Sequence, residues 1–365
     1  MNRQFFLDFP FAYEALNATA LFRSDLEDFQ VDEVLDFPFS GEGEHLCLHI
    51  EKRGENTRWV AKLLAEFFDV DEVAIGYCGL KDRRAVTRQW FSVHLPNTPG
   101  VTWPDPTIIE VPEYKVLTSC RHNKKLRRGM HKKNRFVIRL RKIQGEKEAL
   151  ETRLQQILQQ GVPNYFGEQR FGIDGGNLPE ADQLLRKEYG ADRKKGRRKR
   201  GSPRGGIYLS AARSYLFNLV LAERIKQNCW QSLMEGEGSC SSESNLSIGH
   251  VTVADTTGPM WGRGRSSEPE AVRELEESVL ADWQEWTNAL EFSGLQQERR
   301  PLVLHPEGLS WEWLTSESNP EEDRDLELSF ALSSGSFATS VLRELSTLHA
   351  PTPVATPLSP SSVVI

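Results

Sequence analysis

Gly79-Leu80-Lys81-Asp82-Arg83-Arg84-Ala85-Val86-Thr87-Arg88-Gln89 is a polar, glycine-led stretch that joins two short β-prone runs, Val73–Gly76 and Trp90–Val93. A loop between two strands presents its side chains on a rigid scaffold, so we expect Asp82 at or just past a strand end. Four cations surround it in sequence: Lys81, Arg83, Arg84 and Arg88. Cations near a carboxylate favour its ionised form and attract phosphates, and an ionised aspartate can act as a nucleophile. Read without its neighbours, Gly-x-Lys-Asp also describes an ordinary solvated turn.

The charges of the chain are segregated. The 365 residues carry a net charge of −7. Residues 115–142 contain 12 Lys/Arg and no Asp/Glu, and residues 186–204 contain 10 Lys/Arg and two Asp/Glu, so these two runs hold +20 and the remainder holds −27. One basic run is as often a solvated face as a binding surface. Two such runs in an acidic chain favour a surface that binds a polyanion.

Length and composition indicate a globular protein with room for two domains, since 38% of the residues are hydrophobic and 27% are charged. No apolar run reaches the roughly 18 residues of a membrane span, and the first residues do not resemble a signal peptide. The five cysteines are widely spaced and include no Cys-x-x-Cys pair. We therefore expect reduced thiols and a cytoplasmic location.

One strand pattern raises the question of a metal. His45, Cys47 and His49 alternate with Leu46, Leu48 and Ile50 in a run with strand periodicity. A structural zinc site needs four ligands, and no second cluster of ligands lies nearby in the sequence. We interpret the run as a half-buried strand with a polar face and expect no metal.

The second informative strand follows the first basic loop. In residues 135–141, Phe136, Ile138 and Leu140 point to one face, and Arg135, Arg139 and Arg141 share the other with Val137. A sheet packed on the first face would therefore present a basic surface. Together with the loop at residues 122–133, that face could bind a phosphate backbone. The candidate RNA-binding residues are Lys124, Lys125, Arg127, Arg128, Lys132, Lys133, Arg139 and Arg141.

Helical periodicity appears in five places. The predicted helices are residues 57–68 after an Asn56 or Thr57 cap, residues 145–160 with a buried stripe of Leu150, Leu154, Ile157 and Leu158, a helix capped by Ser210, residues 269–289, and residues 336–348. Residues 326–332 are predicted to form a strand. Residues 189–206 and 232–250 are predicted to form loops, and the Pro/Thr/Ser/Val-rich end is expected to be disordered.

The full pattern Gly-x-Lys-Asp-x-x-Ala-x-Thr-x-Gln at Gly79–Gln89 resembles the signature of the TruD family of RNA pseudouridine synthases. Three further stretches resemble the same family in the same order: Val162–Gly172, Leu209–Asn218 and Gly335–Leu345. Two departures stand out. Arg23 precedes Glu27-Asp28-Phe29 where a lysine is commoner, and Leu332-Ser333-Ser334 replaces an approach that usually contains a proline.

The resemblance implies an α+β fold with a mixed, mostly antiparallel sheet of the pseudouridine synthase type and an inserted, mostly helical domain. The implied catalytic domain is residues 1–188 and 307–349, the insertion is residues 189–306, and the disordered tail is residues 350–365. It also implies a tRNA substrate, modified at uridine 13 of the D arm by a monomer without cofactor or metal. Asp82 would be the nucleophile, Lys81 or Arg23 would hold it ionised, Asn164 would order the site, and Phe166 and Phe337 would border the uracil.

The residues alone leave alternatives open. A non-catalytic RNA-binding or tRNA-folding factor would show the same basic runs. A nuclease with paired carboxylates would need a metal cluster that the sequence does not suggest. The sequence also does not decide whether Asp82 attacks C1′ of the ribose or C6 of the base, and it leaves the acceptor of the C5 proton unassigned.

Overall fold

The computed structural model describes residues 3–97, 102–108, 110–111, 114–189, 203–237, 256–315 and 324–350. The strands are β1 (Thr19–Phe22), β2 (Phe29–Val34), β3 (His45–Arg53), β4 (Ile75–Tyr77), β5 (Val86–His94), β6 (Glu110–Val111), β7 (Tyr114–His122), β8 (Lys133–Gln144), β9 (Val162–Pro163), β10 (Thr257–Met260), β11 (Glu298–Pro301), β12 (Val303–Leu304), β13 (Glu307–Thr315), β14 (Arg324–Ser333) and β15 (Thr347–His349). The α-helices are α1 (Thr57–Phe67), α2 (Lys147–Gln160), α3 (Asn177–Leu184), α4 (Pro203–Lys226), α5 (Glu270–Val279), α6 (Gln284–Glu291) and α7 (Ala338–Arg343). Among the helices described, none is both long and apolar enough to cross a membrane.

One large sheet organises the protein. Its strands follow the order β13-β14-β8-β2-β5-β3-β7-β6, with β1, β15 and β4 attached beside this path. β2 runs parallel to β5 and β1 runs parallel to β15, while the other pairs in the sheet are antiparallel. The predicted α+β class with a mixed, mostly antiparallel sheet is confirmed.

Helices cover the sheet through apolar stripes. In α1, Asn56 caps the helix by accepting a hydrogen bond from Trp59 N, and Val60 and Leu64 pack on buried residues of β3 and β5. In α2, Leu150, Leu154 and Ile157 pack on β8 and β14. Gly161 ends α2 at φ +75, a conformation that glycine adopts without steric cost. The two predicted helices are present, and α2 begins at Lys147, two residues later than predicted.

Four details of the helix predictions were wrong. Leu158 is 43% exposed, because the buried stripe of α2 instead includes Arg153, which donates to the carbonyls of Glu14 and Glu344. Ser210 lies inside α4, which begins at Pro203, a residue suited to the first turn of a helix. The acidic segment at 269–289 is split into α5 and α6 by a 3-10 turn at Ala281–Trp283.

The fourth wrong detail concerns the last predicted helix. The helix predicted at 336–348 is shortened to α7, because the chain then pairs as β15 with β1, where Thr347 lies opposite Thr19. The strand predicted at 326–332 lies within β14 and is confirmed.

A second apolar cluster is built mainly from helices α3, α4 and α6. It includes Leu216, Phe217 and Trp286, and also Phe9 and the segment Tyr165–Leu185. The cluster therefore includes residues on both sides of the boundary predicted between residues 188 and 189, and the domain limits stay a prediction. The basic loop predicted at residues 189–206 was too long at its C-terminal end, because α4 already begins at Pro203. Residues 190–202 of that loop, most of the 232–250 loop and residues 351–365 of the predicted tail lie outside the described residues.

Candidate active site

Asp82 lies in the loop that leads from β4 into β5, four residues before Val86. One of its carboxylate oxygens, Oδ2, accepts a hydrogen bond from Nη2 of Arg23 at 2.8 Å, and the two side chains are 30% and 25% exposed. Arg23 directly follows β1, and its guanidinium carbon lies 4.1 Å from the ring centroid of Phe29. Asp82 is thus fixed by a cation but remains open to a ligand.

The loop around Asp82 is anchored by buried polar groups. Lys52 is fully buried, and its Nζ donates to the backbone carbonyls of Asp82 at 2.9 Å and Glu55 at 2.6 Å. Thr57 Oγ1 accepts a hydrogen bond from Lys81 N and donates to Gln89, whose amide donates to Gly79 O. The first and last residues of the Gly79–Gln89 pattern therefore bond to each other and shape the turn between them.

Lys81 does not pair with Asp82. Its Nζ lies 2.7 Å from Oε2 of Glu33, and both side chains are nearly inaccessible, at 5% and 0% exposure. The other oxygen of Glu33 accepts a hydrogen bond from Trp90 N. Of the two cations expected to hold Asp82, Arg23 makes the contact, whereas Lys81 locks the loop to β2 and β5.

The burial of Lys52 predicts a pH effect on stability. Desolvation lowers the pKa of Lys52 to about 8 from its ordinary value of 10.5, against the opposing charge of Asp82. Between these values the unfolded chain binds more protons, so stability rises with pH and the cost of burial is fully present below about pH 8. We expect the free energy of unfolding of wild type, minus that of Lys52→Met, to increase by about 2 kcal/mol from pH 8 to 9.5. Urea unfolding at the two pH values measures it, and a pH-independent difference would contradict the assignment.

The second part of the site is a pair of phenylalanines on two loops. The rings of Phe166 and Phe337 lie edge to face with centroids 6.0 Å apart. Phe166 is only 4% exposed, since Phe217 and Arg300 also cover it, while Phe337 is half-buried. In this conformation Phe337 is the more accessible of the two rings to a base.

Arg300 ties these loops together and was not predicted. It is fully buried and donates to the side-chain oxygen and the carbonyl of Asn164 and to the carbonyl of Gly335. Asn164 in turn donates to the carbonyl of Pro301. The predicted ordering role of Asn164 therefore has a structural partner, 136 residues away in the sequence.

Asn218 holds the Phe166 loop from the other side. Its side chain is fully buried, accepts a hydrogen bond from Phe166 N at 2.9 Å and donates to Phe166 O at 3.0 Å. Asn218 is the last residue of the Leu209–Asn218 stretch noted in the sequence. The sequence match therefore included Asn218 but did not predict its hydrogen bonds to Phe166.

Short contacts join the Asp82 loop to the phenylalanine loops. The ring of His131 lies against Gly79, where an added Cβ would be 3.1 Å from its Cε1. The same ring lies 3.1 Å from the hydroxyl of Ser334, through its Nε2. Ser334 precedes Gly335, whose carbonyl is bound by Arg300. His131 therefore contacts both the segment that leads to Asp82 and the segment that leads to Phe337.

The predicted RNA-binding residues fall into two groups. Arg139 pairs with Asp325 at 2.7 Å, Arg141 pairs with Asp28 at 2.8 Å, and Lys133 pairs with Glu307 at 2.5 Å. β8 does alternate as predicted, with Phe136, Ile138 and Leu140 buried, but acidic groups pair with Arg139 and Arg141 on its other face. This face is therefore less basic than the sequence suggests.

The loop before β8 keeps its charge. Lys124, Arg127 and Arg128 are exposed, and none of them or Lys132 has a carboxylate within 4.0 Å among the described residues. Lys125 donates to the carbonyl of Val73. Leu126 anchors the loop, since it is buried and its N donates to Ser92 Oγ. The loop is a fixed cationic surface near β4 and β5.

The histidines of β3, His45 and His49, pack against aromatic rings of β5. The rings of His45 and His94 lie 4.8 Å apart, and His49 stacks on Trp90 at 4.8 Å. Cys47, which lies between His45 and His49 in the sequence, is buried. Within the described part of the chain, no group of three or more His, Cys, Asp or Glu side chains is arranged to hold a metal ion.

Comparisons with known proteins agree with the resemblance seen in the motifs. The family model described as tRNA pseudouridine synthase D (TruD) matches residues 10–191 and 202–345. The tRNA pseudouridine synthase D of Cellvibrio japonicus is 48% identical over 358 residues, which span 96% of each chain. That of Aeromonas hydrophila is 43% identical and spans 92% of this chain and 93% of the relative.

A solved structure from Methanosarcina mazei, described as tRNA pseudouridine synthase D, superposes with a TM-score of 0.64 over 93% of this chain and 94% of that one. At 22% identity this likeness supports the fold alone. The match of the family model and the close relatives decide the family. The chain belongs to the tRNA pseudouridine synthase D family.

Proposed function

We propose that this protein converts uridine 13 in the D arm of tRNA to pseudouridine, with Asp82 as the nucleophile. As a member of its family the chain is a tRNA pseudouridine synthase. The observation that carries the assignment to Asp82 is its environment: a partly exposed carboxylate in the Gly79–Gln89 pattern, bonded to Arg23 and held from below by Lys52.

The reaction is an isomerisation. The bond between N1 of uracil and C1′ of the ribose breaks, the base turns, a bond forms between C5 and C1′, and the proton on C5 is lost while N1 gains one. The atoms balance without the transfer of an electron or a phosphoryl group, and the reaction requires no cofactor. A carboxylate can begin this sequence by attack at C1′ or at C6, and both require the base to leave its stack first. Extrusion of a base costs roughly a few kcal/mol, which contacts to the RNA must offset.

The residues of the site divide these tasks. Asp82 supplies the nucleophilic oxygen, and Arg23 fixes its position. Phe337 borders the extruded uracil, and stacking on an aromatic ring contributes about 1–3 kcal/mol per base. Phe166, Asn164 and Arg300 support Phe337 from below. The cationic loop at residues 122–133 contacts the phosphate backbone.

The proposal includes the wider organisation predicted from the sequence. A monomer acts on tRNA in the cytoplasm, where this substrate is found. Residues 189–306 form an insertion that closes the far side of the cleft. The acidic remainder of the chain limits adhesion outside this surface.

Chemical mapping of pseudouridine tests the proposed function. A tRNA transcript is incubated with the protein in the presence of a chelator, and every uridine is read out. We expect one modified uridine, at position 13, and no loss of activity in the chelator. Binding of tRNA without any modified uridine would favour a non-catalytic RNA-binding factor, and modification at another position would overturn the choice of substrate site.

The cationic loop leads to a prediction about RNA affinity. Each phosphate that a side chain neutralises contributes a slope of roughly −0.7 to −0.9 in log K against log salt. Replacing Lys124, Arg127 and Arg128 together by glutamine should weaken tRNA binding and make this slope shallower by about 2 to 3. The rate of pseudouridine formation on RNA that is already bound should change little. Equilibrium binding at four or more salt concentrations measures both quantities.

Lys115→Gln with Lys133→Gln is the matched control, because those lysines of the same basic run are already paired with Glu51 and Glu307. We expect the control to leave the salt slope nearly unchanged. Equal slopes for the loop variant and wild type would remove residues 122–133 from the RNA surface.

A further inference from the structure

Two arginines beside the phenylalanine pair lack an acidic partner. The guanidinium carbon of Arg300 lies 4.1 Å from the ring centroid of Phe166, and that of Arg170 lies 5.3 Å from Phe166 and 5.8 Å from Phe337. Among the residues that the structure describes, neither arginine has a carboxylate oxygen within 4.0 Å. Two positive charges therefore flank one aromatic contact without compensation.

Buried arginines elsewhere in the same helical cluster are compensated. Arg213 lies 3.1 Å from Glu298, Arg224 lies 2.9 Å from Glu237, and Arg299 lies 2.7 Å from Glu276. A buried charge is costly unless it is paired, so such partners are the usual solution. Arg170 and Arg300 depart from the pattern that the protein follows around them.

The environment of Arg170 and Arg300 shows the electrostatic cost that a bound anion would offset. Burial lowers the pKa of Arg300 to about 9, and the nearby charge of Arg170 lowers it further in the same direction. Burial also lowers the pKa of Arg170. Arg300 uses its donors on Asn164 and Gly335, whereas Arg170 is half-buried and donates from Nη1 to Ser210 Oγ. Arg170 is thus the one whose remaining donors can reach a ligand.

We propose that Arg170, supported by Arg300, binds a phosphate of the RNA strand next to the extruded uridine. The inference rests on the proposed function and specifies how the strand is held while its base lies against Phe337. A guanidinium matches a phosphate in geometry and charge, and an anion here would offset both unpaired cations. Arg300 is a positioning residue, since its bonds to Asn164 and Gly335 hold the two loops that carry Phe166 and Phe337.

A permanent charge on the RNA fits better than a transient charge on the uracil. Two uncompensated cations raise the energy of the free protein, and a phosphodiester relieves this as soon as RNA binds. Ser210, which accepts a hydrogen bond from Arg170, lies in α4.

A charge-deletion cycle tests the proposal. Arg170→Gln is combined with a D-arm RNA in which a single phosphate on either side of the target uridine is a neutral methylphosphonate. Hydrogen bonds between charged groups are worth roughly 10- to 150-fold in affinity. We expect each change alone to weaken binding at least about tenfold, and the two together to weaken it hardly further than either one.

Arg186→Gln is the matched control, since Arg186 belongs to the same region but pairs with Asp182 and Glu285. Its effect and that of the methylphosphonate should multiply. A scan of methylphosphonate positions with wild-type protein needs no variant, and the loss should be largest beside the target uridine. Multiplying effects for Arg170→Gln, or a flat scan, would overturn the phosphate site.

A third outcome also decides against it. If Arg170→Gln binds RNA normally but slows a single turnover, the arginine acts on charge at the uracil instead. Pseudouridine formed by wild type on the unmodified RNA reports separately on the proposed function. Its absence would refute the function, whereas its presence with multiplying effects would refute only the phosphate site.

Discussion

Asparagine in place of Asp82 is expected to lower the single-turnover rate of pseudouridine formation by roughly 10⁴-fold or more. The amide has nearly the shape of the carboxylate but is not a nucleophile, so covalent attack at C1′ or C6 is lost. Binding of tRNA should stay within about threefold of wild type, because phosphate contacts elsewhere supply the affinity. The measurement is mapping of the target uridine at saturating enzyme, alongside equilibrium binding.

The fold should tolerate the change. The Arg23–Asp82 pair is partly solvent-exposed, and such pairs contribute about 0–1 kcal/mol. Asp69→Asn is a matched control: Asp69 is an exposed aspartate at φ +50, a conformation that asparagine accepts readily. It should keep full activity. A variant at position 82 that retained more than a tenth of the wild-type rate would remove Asp82 from the chemistry.

The second large effect is expected on stability, at Lys81. Methionine at this position leaves Glu33 buried without its cation, and loss of one partner from a buried pair costs about 3–5 kcal/mol. We expect the free energy of unfolding of Lys81→Met to fall by that amount in urea titrations. Activity per folded molecule should fall much less than in Asp82→Asn, since Lys81 does not contact the carboxylate of Asp82.

A second substitution separates the pair from its parts. Glu33→Gln in the Lys81→Met background removes the unpaired charge while keeping an acceptor for Trp90 N, so part of the lost stability should return. Lys62→Met is the control, because its pair with Glu66 lies on an exposed helix face and should change stability by less than about 0.5 kcal/mol. No recovery in the double variant would contradict the electrostatic explanation.

The sequence predicts local structure well where a short pattern sets it. Asn56 caps α1, Gly161 ends α2, and β8 buries alternate residues, because each of these depends on neighbours within a few positions. The Gly79–Gln89 pattern places Asp82 in a loop between strands for the same reason. The family and its fold follow from the motifs and are confirmed by the comparisons.

Such patterns did not predict the ion-pair partners of charged residues. Arg139 and Arg141 look like free cations in the sequence, but their acids lie 186 and 113 positions away. Arg300 is likewise separated from Asn164 by more than a third of the chain. Long-range pairs of this kind depend on strand order and loop placement, which no periodicity encodes. The roles of the site residues therefore stay predictions to be tested.

A crystal structure of Asp82→Asn bound to its tRNA gives the sharpest test of Asp82 as the nucleophile. We expect an extruded uridine against Phe337, with C1′ or C6 within about 3.5 Å of the side chain at position 82. A target uridine still stacked in the D arm, or one extruded into a cavity that residue 82 does not line, would contradict it.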